Sequence, residues 1–187
     1  MYYSQRHLLS NEGKVLRMLA PRSFSSYQRR FKEKSERLSI QIERHQDVHC
    51  DLDYLRLALY ADERRINKYT ICPLSLLDSV FYSEEHPIYT CPHCGGGDCA
   101  GFLRGVHVAH SAGFTLWKVF KPHPRRVYLF RHPQYREEII TGYRELQFQI
   151  REKPSLAMPY LSADKMEDEF LKVTQINRNL EADNRLF

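Results

Sequence analysis

The stretch FLRGVHVAHSAGFTLWKVF, residues 102–120, predicts a β-hairpin near the middle of the chain. Two β-prone runs flank a short turn, and Gly113 supplies the positive φ that a tight hairpin turn needs. Val106 and Val108 lie on one face of the first strand and are candidates for the core. The run RRVYLF, residues 125–130, predicts a third strand. This stretch therefore predicts an antiparallel sheet on which the rest of the chain packs.

The segments on either side of the hairpin predict further strands and helices. LSIQIER, residues 38–44, alternates apolar and polar residues as a half-buried strand does. DYLRLALYA, residues 53–61, is read as a second strand because a turn at Asp62-Glu63 follows it. Pro73 opens a short helix, since proline is tolerated in the first turn. PQYREEIITGYRELQFQI, residues 133–150, predicts a long helix with a periodic apolar face. That face contains Tyr135, Ile139, Tyr143, Leu146 and Ile150.

The predicted fold is α+β, with a small antiparallel sheet that carries the central hairpin and is packed by helices. We expect a single domain over residues 1–160, in which residues 1–37 form a basic helical N-terminal part. The proline-containing segment KPSLAMPYL, residues 153–161, is interpreted as a linker. Residues 161–187 are expected to form a C-terminal helical arm with Ser162 as its N-cap.

Composition places the chain among globular proteins. Of the 187 residues, 42% are apolar and 12% are aromatic, which suffices for a substantial core. No apolar run approaches the ~20 residues that cross a bilayer, and the N-terminus lacks a signal-peptide pattern. We therefore expect a soluble cytoplasmic protein without a membrane partner. In a reducing compartment, clustered cysteines are more often metal ligands or catalytic groups than disulfides.

The segment YTCPHCGGGDCAG, residues 89–101, contains Cys91, Cys94 and Cys99 with the spacing C-x2-C-x4-C. Two cysteines on a tight turn are typical of a structural zinc site, and the glycines allow its backbone to bend. Tetrahedral zinc needs a fourth ligand. Successive strand residues face opposite ways, so His107 and His110 cannot both point to the cysteines, and of the two we favour His107. Further candidates for the fourth ligand are Cys72 and His93.

Two other interpretations of the cysteines remain open. CPHC matches the motif of disulfide oxidoreductases, but three glycines follow where that chemistry needs a helix N-terminus. The simplest alternative is a turn whose thiols pack like small apolar groups. A structural zinc ion and this metal-free turn are favoured equally. Catalysis, for which Cys94 would be the reactive thiolate, is favoured less.

Residues 88–150 resemble a pattern found in small bacterial proteins whose activity is not established. The pattern has a Cys/Gly-rich knot ending in C-x-G, a hairpin with Trp on its second strand, and an aromatic strand that leads into a helix. IYTCPHCGGGDCAGFLRGVHVAHSAGFTLWKVF and YLFRHPQYREEI carry the resemblance. It implies a compact α+β module and assigns no activity.

The net charge of +5 is distributed unevenly along the chain. Residues 14–37 contain eight basic and two acidic residues, and residues 118–131 contain five basic residues and no acid. Basic segments attract acidic proteins or nucleic acids, although they also occur as plain solvated surfaces. The candidate binding residues are Arg29, Arg30, Lys32, Lys121, Arg125 and Arg126.

The sequence contains no phosphate-binding loop, dinucleotide fingerprint or nucleophile-elbow motif. We therefore expect a non-enzymatic module that binds a protein partner. A specific candidate is an immunity protein that neutralises a bacterial toxin by direct binding, and an acidic toxin would suit the basic segments. One alternative is a nucleic-acid-binding protein that uses the basic N-terminal helix. The other is a metal- or cysteine-dependent enzyme.

Overall fold

A computed structural model describes residues 35–47, 51–102, 104–111, 113–119 and 126–183, with side chains up to residue 175. All of these residues belong to one unit that begins at Ser35. The expected α+β class is confirmed, because three antiparallel sheets combine with helices. The basic N-terminal part lies outside the described residues except for its last three, and the domain boundary at residue 160 stays a prediction.

The first sheet consists of β1 (Leu38–Asp47), β2 (Leu52–Ala61) and β3 (Arg64–Arg65) in that order. Both sequence predictions of long strands in this region are confirmed. Asp62 and Glu63 turn the chain with positive φ values of 47° and 66°. The Asp62 carboxylate also accepts a hydrogen bond from the Arg37 backbone N–H at 2.7 Å, which fixes the turn against the chain before β1.

A second, two-stranded sheet pairs β4 (Thr70–Ile71) with β6 (Tyr89–Thr90). The third sheet has the strand order β5-β7-β8-β9 and contains the hairpin. Gly113 turns the hairpin with a φ of +82°, and Val106 and Val108 are fully buried, so both predictions are confirmed. The strands of this sheet are β5 (Glu85–His86), β7 (Val106–Ser111), β8 (Phe114–Val119) and β9 (Arg126–Arg131).

In the described part of the chain, three helices cover the sheets: α1 (Pro73–Asp78), α2 (His132–Glu152) and α3 (Ala163–Asp183). Pro73 stands at the start of α1, as predicted. Ser162 caps α3, because its hydroxyl accepts a hydrogen bond from the Lys165 backbone N–H at 3.1 Å. The predicted apolar face of α2 is confirmed as part of the core: Tyr135, Ile139, Tyr143, Leu146 and Ile150 are all buried.

Helix α2 also covers the beginning of the outer edge of β1. Gln134 accepts a hydrogen bond from the Leu38 backbone N–H at 3.2 Å and donates one to the Leu38 carbonyl at 2.5 Å. Glu138 accepts one from the Ile40 N–H at 2.9 Å. Side chains of α2 therefore stand where a further strand would otherwise pair, which protects an edge from association.

The segment of residues 153–161 is packed against the domain, so its interpretation as a linker was wrong. It contains a 3₁₀ helix, Pro154–Leu156, and two side chains that are almost fully buried. Met158 is 1% exposed and Leu161 is 3% exposed. The two prolines that suggested a linker shape a tight connection between α2 and α3 instead.

A chain of buried polar groups lies between α1, the hairpin and α2. The Tyr135 hydroxyl is 2.6 Å from the Ser79 hydroxyl and accepts a hydrogen bond from the Trp117 indole N–H at 2.9 Å. Nearby, the Thr115 hydroxyl lies 3.0 Å from Nδ1 of His110 and 2.8 Å from Nδ1 of His132. These bonds satisfy polar groups inside an otherwise apolar interior.

His110 lies in this group with one ring nitrogen incompletely satisfied. Its Nε2 atom is buried and has no hydrogen-bond partner of normal geometry. Burial, with the nearby His132 as a smaller cause, lowers the pKa of His110 to about 4. Burial also lowers the pKa of His132 and of His86. The native state therefore binds protons at these rings less readily than the unfolded chain does.

We predict that His110 contributes stability that depends on pH. In the unfolded chain its pKa is about 6.5, so between pH 6.5 and 4 the unfolded state binds more protons and is favoured. The free energy of unfolding relative to a His110→Gln variant should be constant above pH 6.5 and should fall as the pH drops to about 4. Urea unfolding of both proteins at several pH values measures this difference. A difference that does not change with pH would contradict the assignment.

Candidate metal centre

The structure brings together the three cysteines of the central segment. The sulfur atoms of Cys91, Cys94 and Cys99 all lie within 4.8 Å of one another. Cys91 is half-buried, whereas Cys94 and Cys99 are exposed. Among the described residues, this group of potential metal ligands contains these three thiols alone. The cluster is compatible with a metal site of the predicted kind.

The turn that gathers the cysteines is closed by its own backbone and by a glycine. The Cys91 N–H donates to the Gly96 carbonyl, and the Gly95 N–H donates to the Cys91 carbonyl, both at 3.0 Å. Gly95 has a φ of +73°, and a Cβ atom there would lie 3.0 Å from the Tyr160 ring. Two features therefore favour glycine at this position: the left-handed backbone and the closeness of the ring.

Backbone N–H groups point at two of the sulfur atoms. The Gly96 N–H donates to Sγ of Cys94 at 3.4 Å. Partial burial opposes ionisation of Cys91, but the backbone N–H groups of Cys94 and His93 and the neighbouring thiols outweigh it and lower the Cys91 pKa to about 7. Hydrogen bonding to Cys91 and Cys94 raises the pKa of Cys99 to about 11. Without a bound cation, the Cys91 thiol ionises near neutral pH, whereas the Cys99 thiol stays protonated to a much higher pH.

A thiolate-binding cation would remove this conflict, and the geometry fits one. Zinc–sulfur bonds of about 2.3 Å in a tetrahedron set the sulfur atoms about 3.8 Å apart. The observed separations, all within 4.8 Å, are compatible with that spacing. Metal binding also requires deprotonated thiols, which the backbone donors already favour at Cys91.

None of the predicted fourth ligands belongs to the sulfur cluster in the described structure. His107 lies on β7, opposite Glu85 on one side and Lys118 on the other. The His110 ring bonds to Thr115 in the buried network. Cys72 is buried directly before α1, and His93 contributes its backbone N–H to the cysteine turn. The fourth coordination position is therefore unassigned.

Of the predicted binding residues, the structure describes only Arg126, which is exposed at the start of β9. Five others lie outside the described residues and stay predictions: Arg29, Arg30, Lys32, Lys121 and Arg125.

Sequence reasoning also missed Tyr160, whose ring packs on Gly95. No local pattern in the sequence indicates this contact, because Gly95 and Tyr160 are far apart in the chain and meet only through the packed segment before α3.

Comparisons with known proteins add no family to these observations. No protein-family model, curated protein or solved structure matched the chain. No described helix is both long enough and apolar enough to cross a membrane. What can be proposed about function therefore depends on the residues and geometry of this chain.

We predict that Cys91, and not the Cys94 that the sequence singled out, is the first thiol to react in metal-free protein. Its alkylation by iodoacetamide should reach half its maximal rate near pH 7, because only the thiolate reacts. Peptide mass spectrometry after short exposures gives the rate at each cysteine. Protein in urea is the control, and there all cysteines should titrate at about 8.5. A midpoint near that value for Cys91 in folded protein would contradict the prediction.

Proposed function

We propose that this protein is a non-enzymatic binding module in which Cys91, Cys94 and Cys99 hold one structural Zn²⁺ ion. The observation that carries the proposal is the convergence of three sulfur atoms within 4.8 Å on a turn closed by backbone hydrogen bonds. Thiolates are soft ligands that bind zinc well, whereas calcium and magnesium take oxygen ligands.

The position of the turn supports a structural role for the ion. The cysteines lie between β6 and β7, and Phe102 follows them directly. Phe102 is 8% exposed, stacks on Tyr89 with ring centroids 5.0 Å apart, and donates its backbone N–H to the Gly97 carbonyl at 2.9 Å. An ion that joins Cys91 to Cys99 would hold both ends of the turn and so fix where the hairpin begins. Its binding energy would then contribute to folding.

A binding role is favoured over catalysis by the surroundings of the thiols. No described His, Asp or Glu side chain joins the sulfur cluster as a further ligand, and a set of thiolates is typical of structural zinc sites. As the partner we propose a bacterial toxin that the module neutralises by docking on it. That role is supported by the uneven charge of the sequence and by the resemblance of residues 88–150 to small bacterial proteins.

We predict that the purified protein contains one zinc per chain and that Cys91→Ser loses it. Chelation should lower the melting temperature of the wild type but not that of Cys91→Ser, because only the wild type loses a native-state ligand. Zinc is measured by inductively coupled plasma mass spectrometry, with copper(I) tested as a competitor for the thiolates. Cys72→Ala is the matched control: it removes a buried cysteine outside the cluster and should keep the zinc.

The zinc proposal would be overturned if the wild type bound no zinc under reducing conditions or if Cys91→Ser kept a full equivalent. The partner proposal needs a separate test, in which the tagged protein is co-expressed with each protein encoded beside it. We expect one of these to co-purify and to be inhibited. If none binds, the toxin-neutralising role is wrong, while the zinc result stands independently.

A further inference from the structure

A basic groove lies between β3 and β9, where the first sheet and the hairpin sheet come together. Glu36 joins the sheets there, because its backbone N–H donates to the Leu129 carbonyl at 2.8 Å. One part of the groove has a volume of about 470 Å³ and the adjoining part about 160 Å³. Arg65, Arg126 and Tyr128 line both parts, so the two form one continuous depression.

The groove carries an excess of positive charge. Four cations line it, namely Arg64, Arg65, Lys68 and Arg126, together with the carboxylate of Glu36. Arg64 forms an ion pair with Glu36 at 3.2 Å, and Arg65 forms one with Glu43 at 2.9 Å. In the described part of the chain, Lys68 and Arg126 have no ion-pair partner. Two cations therefore remain available for an anionic ligand.

Tyr128 provides an independent indication that a ligand belongs in the groove. Its side chain is 7% exposed, and its buried hydroxyl has no hydrogen-bond partner of normal geometry. Arg126 lies beside it, but a guanidinium only donates hydrogen bonds, so the hydroxyl proton still lacks an acceptor. A buried hydroxyl without an acceptor is costly. An oxyanion in the groove would supply the missing acceptor.

Tyr69 adds an aromatic surface at the same place. It lines the smaller part of the groove and is 39% exposed, which is high for a large ring. Its ring meets Phe102 edge-on at 4.7 Å and Tyr89 at 6.2 Å, so buried neighbours hold it in position. Cations beside a fixed, exposed ring are what single-stranded nucleic acids use for their phosphates and bases.

We propose that this groove binds single-stranded nucleic acid. Phosphate oxygens accept hydrogen bonds from Lys68, Arg126 and the Tyr128 hydroxyl, and a base stacks on Tyr69. An acidic peptide could use the cations and the hydroxyl but has no need of the exposed ring, which is why nucleic acid is favoured. The site differs from the N-terminal helix that the sequence suggested for this purpose and does not depend on the toxin-binding role.

The test uses fluorescent 12-nucleotide oligothymidine and oligouridine and measures anisotropy with the zinc-loaded full chain. Because Lys68 and Arg126 would neutralise two phosphates, the affinity should fall with a log–log salt slope of about −1.4, roughly sevenfold between 50 and 200 mM salt. The double variant Lys68→Gln/Arg126→Gln should make that slope shallower by about 1.4. Tyr69→Ala should weaken binding about 5- to 100-fold and leave the slope unchanged.

Tyr128→Phe separates a ligand-binding role from a structural one. It should weaken binding about tenfold, because it removes a hydrogen bond to a charged group. It should change the stability of the free protein little, since the hydroxyl has no hydrogen-bond partner of normal geometry there. The charge-matched control is Arg151→Gln/Lys172→Gln, on α2 and α3, which should bind like the wild type.

Three results would each overturn the proposal. The first is the absence of binding at 50 mM salt. The second is an equal loss of affinity in the control and in the groove variant, which would indicate unspecific attraction to net charge. The third is tight binding of a polyglutamate peptide together with oligonucleotide binding that Tyr69→Ala does not change, which would assign the groove to acidic peptides.

Discussion

The rest of the account depends on one constraint: three thiol groups that lie within 4.8 Å of one another cannot all ionise without a cation among them. The backbone of the turn lowers the pKa of Cys91 to about 7, while the same cluster raises that of Cys99 to about 11. Backbone donors at the thiols and the closeness of the three sulfur atoms are compatible with a metal site. Gly95 has a positive φ and lies against the Tyr160 ring, and both features favour the observed path of the backbone through the turn.

The cysteine turn and the basic groove are joined by a short series of aromatic contacts. Phe102 leaves the turn, stacks on Tyr89 at 5.0 Å and meets the Tyr69 ring at 4.7 Å. Tyr69 lines the groove beside Lys68 and Arg126. An ion that orders the turn would therefore also fix the ring on which we propose that a base stacks. The proposed metal site and the proposed binding groove would then be structurally coupled, although each proposal has its own test.

The sequence predicted those parts of the fold that have a local period. The hairpin around Gly113, the strand β1 and the apolar face of α2 were predicted because alternation and 3.6-residue spacing are visible within one segment. The period of β2 fits both a helix and a strand, and the strand was predicted because a turn at Asp62-Glu63 follows it. The cysteine cluster was predicted because its members lie within nine residues. The segment before α3 was misread, since prolines that suggest a linker are equally suited to a tight, buried connection. The fourth ligand and the groove could not be predicted, because β3 and β9 meet only through the packing of two sheets.

The most direct test of the central claim is the X-ray absorption spectrum of zinc in the purified protein at the zinc edge. The account predicts at least three sulfur atoms in the first coordination shell at about 2.3 Å. A shell made of nitrogen and oxygen, or one with fewer than three sulfur atoms, would contradict the claim that Cys91, Cys94 and Cys99 together hold the ion.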